Sequence, residues 1–208
     1  SRNPVTATPL QSVVYEVLGT DTNGCENTAF ADVFVFQPPP EIIWDTTIVI
    51  GEIVNLDAFA GEGYDYIWDP DMWLSCDTCA QVTSIPLEDI EYTVTVTDSL
   101  GCFSVVSYYT IEVLPVSSID VPDAFTPNGD GVNDIIYVDG WGIKELLEFK
   151  IYNRWGELVF ETSNLEEGWD GYYKEELQNV ETYAYVVVAM TYIDPDPVTK
   201  KGYINLLR

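Results

Sequence analysis

Oxygen-bearing side chains are concentrated in one short segment, "AFTPNGDGVND", which spans residues 124–134. Three of its Asn and Asp residues fall at positions i, i+2 and i+6, and a glycine between them permits a sharp reversal of the chain. This spacing is typical of a calcium-binding loop, in which carboxylate and amide oxygens share the ion with a backbone carbonyl. The candidate ligands are Asn128, Asp130, Asp134, the carbonyl of Val132, and Asp123 and Asp139 from the flanking sequence.

The same segment has a simpler interpretation as a pair of Asn-Gly and Asp-Gly turns whose side chains bond their own backbone. Its pattern resembles the calcium loops of thrombospondin type 3 repeats, with Thr126 where an Asp would open the loop. It resembles the EF-hand only in part, because the bidentate Glu and the flanking helices are missing. The sequence therefore leaves bound Ca²⁺ and a self-bonded turn as two open alternatives.

Four cysteines and no histidine limit the other chemistry of the chain. Disulfides of an exported protein, buried thiols, a redox pair and half of a zinc site are the alternatives for Cys76 and Cys79 in "SCDTC". Zinc would need two more ligands, and Cys25 and Cys102 lie far away in sequence. We predict a bridge between Cys76 and Cys79 that closes a short loop.

Charge is distributed very unevenly along the chain. Thirty-five acidic residues against eight basic ones give a formal net charge of −27. Phosphates would be repelled, which argues against nucleic acid and anionic membranes as partners. No Lys or Arg occurs between Arg2 and Lys144. In this setting Arg154, beside Trp155, either closes a structural ion pair or recognises a carboxylate on a partner protein.

Enzymatic chemistry finds little support in the sequence. The absence of His removes the usual nucleophile and base pairs, and the acidic residues are scattered over turns and strand faces. No glycine-rich phosphate loop precedes a predicted helix. No apolar run reaches 18 residues, so we expect no membrane insertion. The start, "SRNPVTATPL", lacks a signal-peptide pattern and is expected to be a cut inside a longer protein.

An internal repeat defines the elements that position these residues. "YEVLGTDTNGC" at 15–25 aligns without gaps on "YTVTVTDSLGC" at 92–102. Each copy reads as a strand, a turn built on Asp-x-x-Gly-Cys, and a second alternating strand. Two copies indicate two modules. We expect residues 1–37 to be the last strands of a truncated module, ending at the stiff linker "QPPP".

Residues 38–116 are expected to form a complete module with an immunoglobulin-like β-sandwich. Strands are predicted at residues 47–59, 64–70, 81–86, 91–98 and 104–114. "YDYIWDP" and "EYTVTVTDSLGC" resemble the PKD-like modules found in tandem in surface proteins of Bacteroidetes-type bacteria. Within "YDYIWDP" we expect Trp68 to fill the core rather than to stack on a ligand.

Residues 117–208 resemble a second, more specific family. "DVPDAFTPNGDGVND", "FKIYNRWGELVFET", "EGWDGYYKEELQ" and "TYAYVVVAMTY" follow one another in the order of the C-terminal gliding-motility-associated domain. This is the type B sorting domain of substrates of the type IX secretion system. One departure is "LQNVETYAYVV", where Glu181 replaces the usual Gly. The complete expectation for the fold is all-β: tandem immunoglobulin-like sandwiches followed by a C-terminal antiparallel β-sandwich.

The resemblance implies a secretion and surface-targeting signal, carried on PKD-like spacers of a large surface protein such as a gliding adhesin, without catalysis. It implies export across the outer membrane, to the cell surface or the medium. The expected partner is the type IX machinery, through an outer-membrane barrel specific for type B signals. A carbohydrate- or protein-binding adhesion module is the alternative. Besides the 128–134 loop, the expected partner contacts are Arg154, Trp155, Ile204, Asn205, Leu206, Leu207 and Arg208.

Overall fold

The computed structural model describes residues 4–35, 38–59, 61 and 63–208. Regular structure in these ranges is entirely β, and no helix in them is long and apolar enough to cross a membrane. The strands are β1 (Val13–Thr20), β2 (Glu26–Val33), β3 (Ile43–Val49), β4 (Val54–Asp57), β5 (Tyr64–Asp69), β6 (Gln81–Ser84), β7 (Ile90–Asp98), β8 (Ser104–Leu114), β9 (Ser118–Asp120), β10 (Ala124–Phe125), β11 (Asp139–Trp141), β12 (Ile143–Tyr152), β13 (Leu158–Thr162), β14 (Tyr172–Tyr173), β15 (Glu176–Leu177), β16 (Thr182–Thr191) and β17 (Val198–Leu206).

The sequence repeat is a structural repeat of one hairpin. β1 pairs antiparallel with β2, and β7 pairs antiparallel with β8. In the first copy the Asp21 carboxylate accepts the backbone N–H groups of Asn23 and Cys25. In the second copy the Asp98 carboxylate accepts the N–H groups of Leu100 and Phe103. The predicted Asp-x-x-Gly-Cys turn is therefore confirmed in both copies.

The two hairpins differ in what covers them. On one face of the first hairpin, three cross-strand pairs consist entirely of apolar residues: Val13 with Val33, Tyr15 with Ala31, and Val17 with Ala29. Val17 is 58% exposed, whereas the equivalent Val94 of the second copy is completely buried. The same strand pattern thus forms a core face in β7–β8 and an uncovered face in β1–β2. The predicted end of the first module, at Gln37, lies outside the described residues.

Strands β3 to β8 form an immunoglobulin-like sandwich. A four-stranded sheet in the order β3-β8-β7-β5 packs on the two-stranded sheet β4–β6. Trp68 is 2% exposed inside it, and its indole N–H donates to the Cys79 carbonyl at 2.8 Å. The prediction that Trp68 belongs to the core is confirmed. Its ring lies 5.2 Å from that of Tyr109, whose hydroxyl donates to the Asp57 carbonyl of β4 and so ties the two sheets together.

The prediction of one strand over residues 47–59 is wrong. The chain turns at Ile50 and Gly51, and Gly51 adopts a φ of +88°. β3 ends before this turn and stays in the four-stranded sheet, while β4 follows it in the two-stranded sheet. An alternating apolar pattern continues through the turn because both strands face the same core from opposite sides.

The loop between β5 and β6 contains the two cysteines of "SCDTC". Cys76 and Cys79 are joined by a disulfide, with their Cα atoms 5.7 Å apart. Cys25 and Cys102 are free thiols at exposed positions. The equivalent cysteines of the two hairpin turns are therefore not joined to each other.

The second sandwich is built on a five-stranded sheet in the order β10-β17-β16-β12-β13. β10 runs parallel to β17, and the other neighbours are antiparallel. Its core residues span the chain from Ile119 to Leu206. The small sheets β9–β11 and β14–β15 complete the domain.

Trp169 connects the irregular segments of this domain to its sheet. It is 1% exposed, its backbone N–H and carbonyl both pair with Ile136, and its indole N–H donates to the Tyr172 carbonyl at 2.9 Å. Its ring contacts Phe125 of β10 and Tyr183 of β16, at centroid distances of 5.3 and 4.7 Å. Trp169 is therefore a core residue of this domain.

An aromatic side chain joins the two sandwiches. Tyr192, directly after β16, packs against the core of the immunoglobulin-like sandwich. Its ring lies against Gly51, and a Cβ at that position would overlap the ring. Gly51 is thus needed twice, for its positive φ and for the close approach of Tyr192.

We expect Trp169→Ala to destabilise the second sandwich by about 3–5 kcal/mol, because it removes the largest buried side chain of that core and a buried hydrogen bond. Chemical denaturation followed by tyrosine and tryptophan fluorescence measures the change. Trp155→Ala is the matched control, since Trp155 is 80% exposed and its loss should change stability by less than about 0.5 kcal/mol. Equal stability of the two variants would contradict the role assigned to Trp169.

Candidate functional site

The 126–134 loop is held by its own acidic side chains. The Asp134 carboxylate accepts the backbone N–H groups of Asn128, Gly129 and Gly131 at 2.7–2.8 Å. The Asp130 carboxylate accepts the N–H of Val132 and the side-chain amide of Asn128. The oxygens predicted to bind a cation are thus directed at the N–H groups of the loop itself.

These hydrogen bonds favour the charged form of Asp134. The N–H of Gly129, followed by that of Gly131, holds the pKa of the Asp134 carboxyl below its usual range. Hydrogen bonds from backbone amides to a carboxylate are charge-assisted and stronger than those between neutral groups. Asp134 is therefore the residue that fixes the shape of the loop.

The remaining candidate ligands make their own contacts. The Asp139 carboxylate accepts the N–H of Gly140, and the Asp123 carbonyl accepts from Asn205. Within the described ranges, no group of three or more His, Cys, Asp or Glu residues is arranged to hold a metal ion. This arrangement corresponds to the self-bonded turn, and calcium binding stays a prediction.

Arg154 and Trp155 lie in the turn between β12 and β13. The Arg154 Nε lies 3.1 Å from a carboxylate oxygen of Glu181, and its guanidinium carbon lies 5.2 Å from the centre of the Trp155 ring. Glu181 is the residue that departs from the pattern of the resembled family. The sequence alone did not pair it with Arg154, because the two residues are far apart in the chain.

The final strand divides the predicted partner contacts into two groups. Ile204 and Leu206 are completely buried in the core, so the prediction that their side chains contact a partner is corrected. Asn205 alternates with them and faces the surface, and Leu207 and Arg208, which follow the strand, are also exposed. An Nη of Arg208 donates to the Gln178 carbonyl at 3.2 Å.

Several of these residues meet at one end of the second sandwich. A groove of about 690 Å³ is lined by residues from the loop, the β14–β15 hairpin and the chain end, among them Asn128, Asp134, Ile135, Asp170, Tyr172 and Arg208. The positive charges of Arg154 and Arg208 both favour the ionised form of the buried Tyr183 hydroxyl. Burial, reinforced by Glu181, raises the pKa of Tyr183 to about 12.

The fold and this end surface define an all-β protein of immunoglobulin-like sandwiches that presents a polar and aromatic surface built from turns. Residues 119–206 match the family model described as the CHU_C type IX secretion signal domain. The predicted sorting domain is confirmed over these residues. A type IX secretion signal implies export across the outer membrane, to the cell surface or the medium.

The solved structures that the chain matches include proteins of immunoglobulin domains. A chimeric titin Z1Z2 carrying a peptide from decorin is 15% identical, with 81% of this chain and 95% of that chain covered and a TM-score of 0.40. The four N-terminal Ig domains of a Dscam1 isoform are 14% identical, with 84% and 45% covered and a TM-score of 0.29. A three-Ig titin fragment in an E-to-A variant is 13% identical, with 95% and 75% covered and a TM-score of 0.36. No curated protein matches the sequence.

We expect Asp134→Asn to lower the melting temperature at neutral pH, because three backbone N–H groups lose a charged acceptor. The folded-state pKa of Asp134 lies below the unfolded value of about 3.9. Its contribution to stability is therefore present above the unfolded pKa and is lost as the pH falls through the folded pKa. Melting curves of both proteins from pH 7 to pH 2 should converge at the acidic end. A difference that is independent of pH would contradict this role.

A second prediction concerns calcium binding by the 126–134 loop. If the loop binds Ca²⁺, the ion should raise the melting temperature relative to chelator, by an amount that follows RT ln(1 + [L]/Kd), about 2.7 kcal/mol at a hundredfold excess over Kd. Asp130→Ala should abolish this response. Coincident melting curves with Ca²⁺ and with chelator would contradict calcium binding and leave the loop as a turn.

Proposed function

We propose that residues 117–208 are a type B sorting signal of the type IX secretion system, and that the preceding PKD-like modules are spacers of a surface protein such as a gliding adhesin. One observation carries the proposal. The residues that match the secretion-signal family, 119–206, are also the residues that form a separate core, from Ile119 to Leu206. A segment with its own core supports a signal that is read as a folded domain.

Recognition of a folded surface is further supported by the exposed groups, which come from segments that are distant in sequence. These segments lie close together: the 126–134 loop and Arg208 line one groove, and Arg208 and Arg154 of the β12–β13 turn both influence Tyr183. A linear tag would need its contacts in one stretch of chain. We infer that the receptor contacts this end, and that the receptor is an outer-membrane barrel of the type B pathway.

Surface display of a spacer array agrees with the charge of the chain. A net charge of −27 keeps neighbouring modules soluble and limits association with other acidic surfaces. The exposed apolar face of β1–β2 supports the assignment of residues 1–37 to a further module of the same kind, because the equivalent face of β7–β8 is a core face.

The test is export of a fluorescent passenger that carries an added signal peptide, in a bacterium with the type B pathway. We expect fusions to residues 1–208 and to residues 117–208 to become accessible to protease on intact cells. A fusion to residues 1–116 should remain in the periplasm, because it lacks the matched domain.

The strain must still export its own substrates, which serves as the internal control. Retention of the intact 1–208 fusion in the periplasm under that condition would contradict the sorting function and favour the adhesion alternative. Equal export of the 1–116 fusion would place the signal outside the second sandwich.

A further inference from the structure

We propose that Arg154, Trp155, Tyr173 and Lys174 form a docking surface for a carboxylate-bearing segment of a partner protein. We call these four residues the cation–aromatic patch. The inference rests on the proposed export function, because the partner concerned is the export receptor. It adds the β14–β15 hairpin to the surface and specifies the chemistry of the partner.

The first half of the patch is presented by a rigid turn. The Asn153 side-chain oxygen accepts the backbone N–H groups of Trp155 and Glu157, both at 3.0 Å. Gly156 supplies the positive φ, +77°, that closes the turn. The turn therefore has a fixed backbone, yet it leaves the Trp155 side chain 80% exposed. Because the backbone is already ordered, binding through Trp155 would cost little conformational entropy.

Arg154 extends this half with hydrogen-bond donors. Its Nε pairs with Glu181, while its side chain remains 63% exposed. A guanidinium has five N–H donors, so accessible donors remain beside this ion pair for a second carboxylate. The guanidinium also lies against the Trp155 ring, which places a cation next to an exposed apolar surface.

The second half of the patch is presented by a strained hairpin. Tyr173 pairs with Glu176 across β14–β15, so Lys174 and Glu175 are the two turn residues. Their φ angles are +52° and +68°, in the left-handed region where such turns usually place Asn and Gly. Non-glycine residues in this region cost free energy and are concentrated at functional sites. The strain at both turn residues supports a functional role for this hairpin.

An acidic side chain connects the two halves. The Lys174 Nζ lies 3.5 Å from Glu157, in the same turn as Arg154 and Trp155, and 4.4 Å from the centre of the Tyr173 ring. The Lys174 side chain is 71% exposed. Two cation–aromatic pairs thus lie side by side around Glu157.

Charge complementarity identifies the occupant. In a chain of net charge −27, an acidic partner is repelled except where cations are exposed. Lys150 and Lys200 are engaged with Glu148, Glu161 and Asp120. Arg154 and Lys174 also have acidic partners, but their side chains are more exposed than those of Lys150 and Lys200. They flank Trp and Tyr, the residue types that dominate protein-binding hot spots together with Arg. A carboxylate beside an apolar group of the partner would satisfy both features.

The experiment uses the 1–208 fusion and its export assay. We expect Trp155→Ala, and the pair Arg154→Gln with Lys174→Gln, each to reduce surface-accessible passenger at least about tenfold, as expected for loss of a hot-spot contact. Tyr203→Ala with Lys201→Gln is the matched control. It also removes one exposed aromatic ring and one cation from the same domain, and Tyr203 is 70% exposed. This control should be exported like the unsubstituted fusion.

Folding is checked by the melting temperature of each purified chain. Arg154→Gln could lower the melting temperature by leaving Glu181 without its partner. In that case the double variant Arg154→Gln with Glu181→Gln, which removes both charges, is used in its place. A fusion to Lys174→Glu tests the sign of the charge, and its export should fall below that of Lys174→Gln. Equal export of these two fusions would contradict recognition of a carboxylate.

The outcomes separate the two proposals. Failure of the unsubstituted fusion to leave the periplasm contradicts the proposed function itself. Normal export of folded patch variants, alongside normal export of the unsubstituted fusion, overturns only the docking surface. Binding of the 1–208 chain to a glycan array that is lost in Trp155→Ala, with export unchanged, would assign the patch to carbohydrate and likewise overturn the inference.

Discussion

The burial of Trp169 is the constraint on which the second sandwich depends. One indole ring contacts the edge strand β10 and the central strand β16, and its N–H binds the first residue of β14. Its backbone holds Ile136, next to the 126–134 loop. A single side chain thus sets the relative positions of the loop, the β14–β15 hairpin and the sheet. The groove at this end of the domain therefore depends on turns that are fixed to the buried Trp169 ring.

Much of this architecture could be predicted from the sequence, because strand alternation and turn residues are local signals. The hairpin repeat and the burial of Trp68 follow from such signals, and the structure has both. The turn at Ile50 and Gly51 is not evident in the sequence, because the strands on both sides face the same core and continue one alternation of apolar residues.

The candidate site was less accessible to sequence analysis. The pairing of Arg154 with Glu181 and of Lys174 with Glu157 depends on tertiary contacts that no spacing encodes. Ile204 and Leu206 were expected at a partner surface, but alternation along β17 directs them into the core. The hairpin at Lys174 was missed because a Lys-Glu pair carries none of the usual signals of a left-handed turn.

Each sandwich encloses its own buried cluster, and the two meet where the ring of Tyr192 rests on a residue without a side chain. On the side of the immunoglobulin-like sandwich this contact depends on a glycine, because a Cβ at position 51 would overlap the ring. A module with a glycine at the equivalent turn could accept the Tyr192 ring in the same way. Under the spacer role proposed above, duplication or loss of repeats would change the length of the protein without changing residues 119–206, which match the secretion-signal family. The same proposal implies that the number of repeats and the sequence of the signal can vary independently.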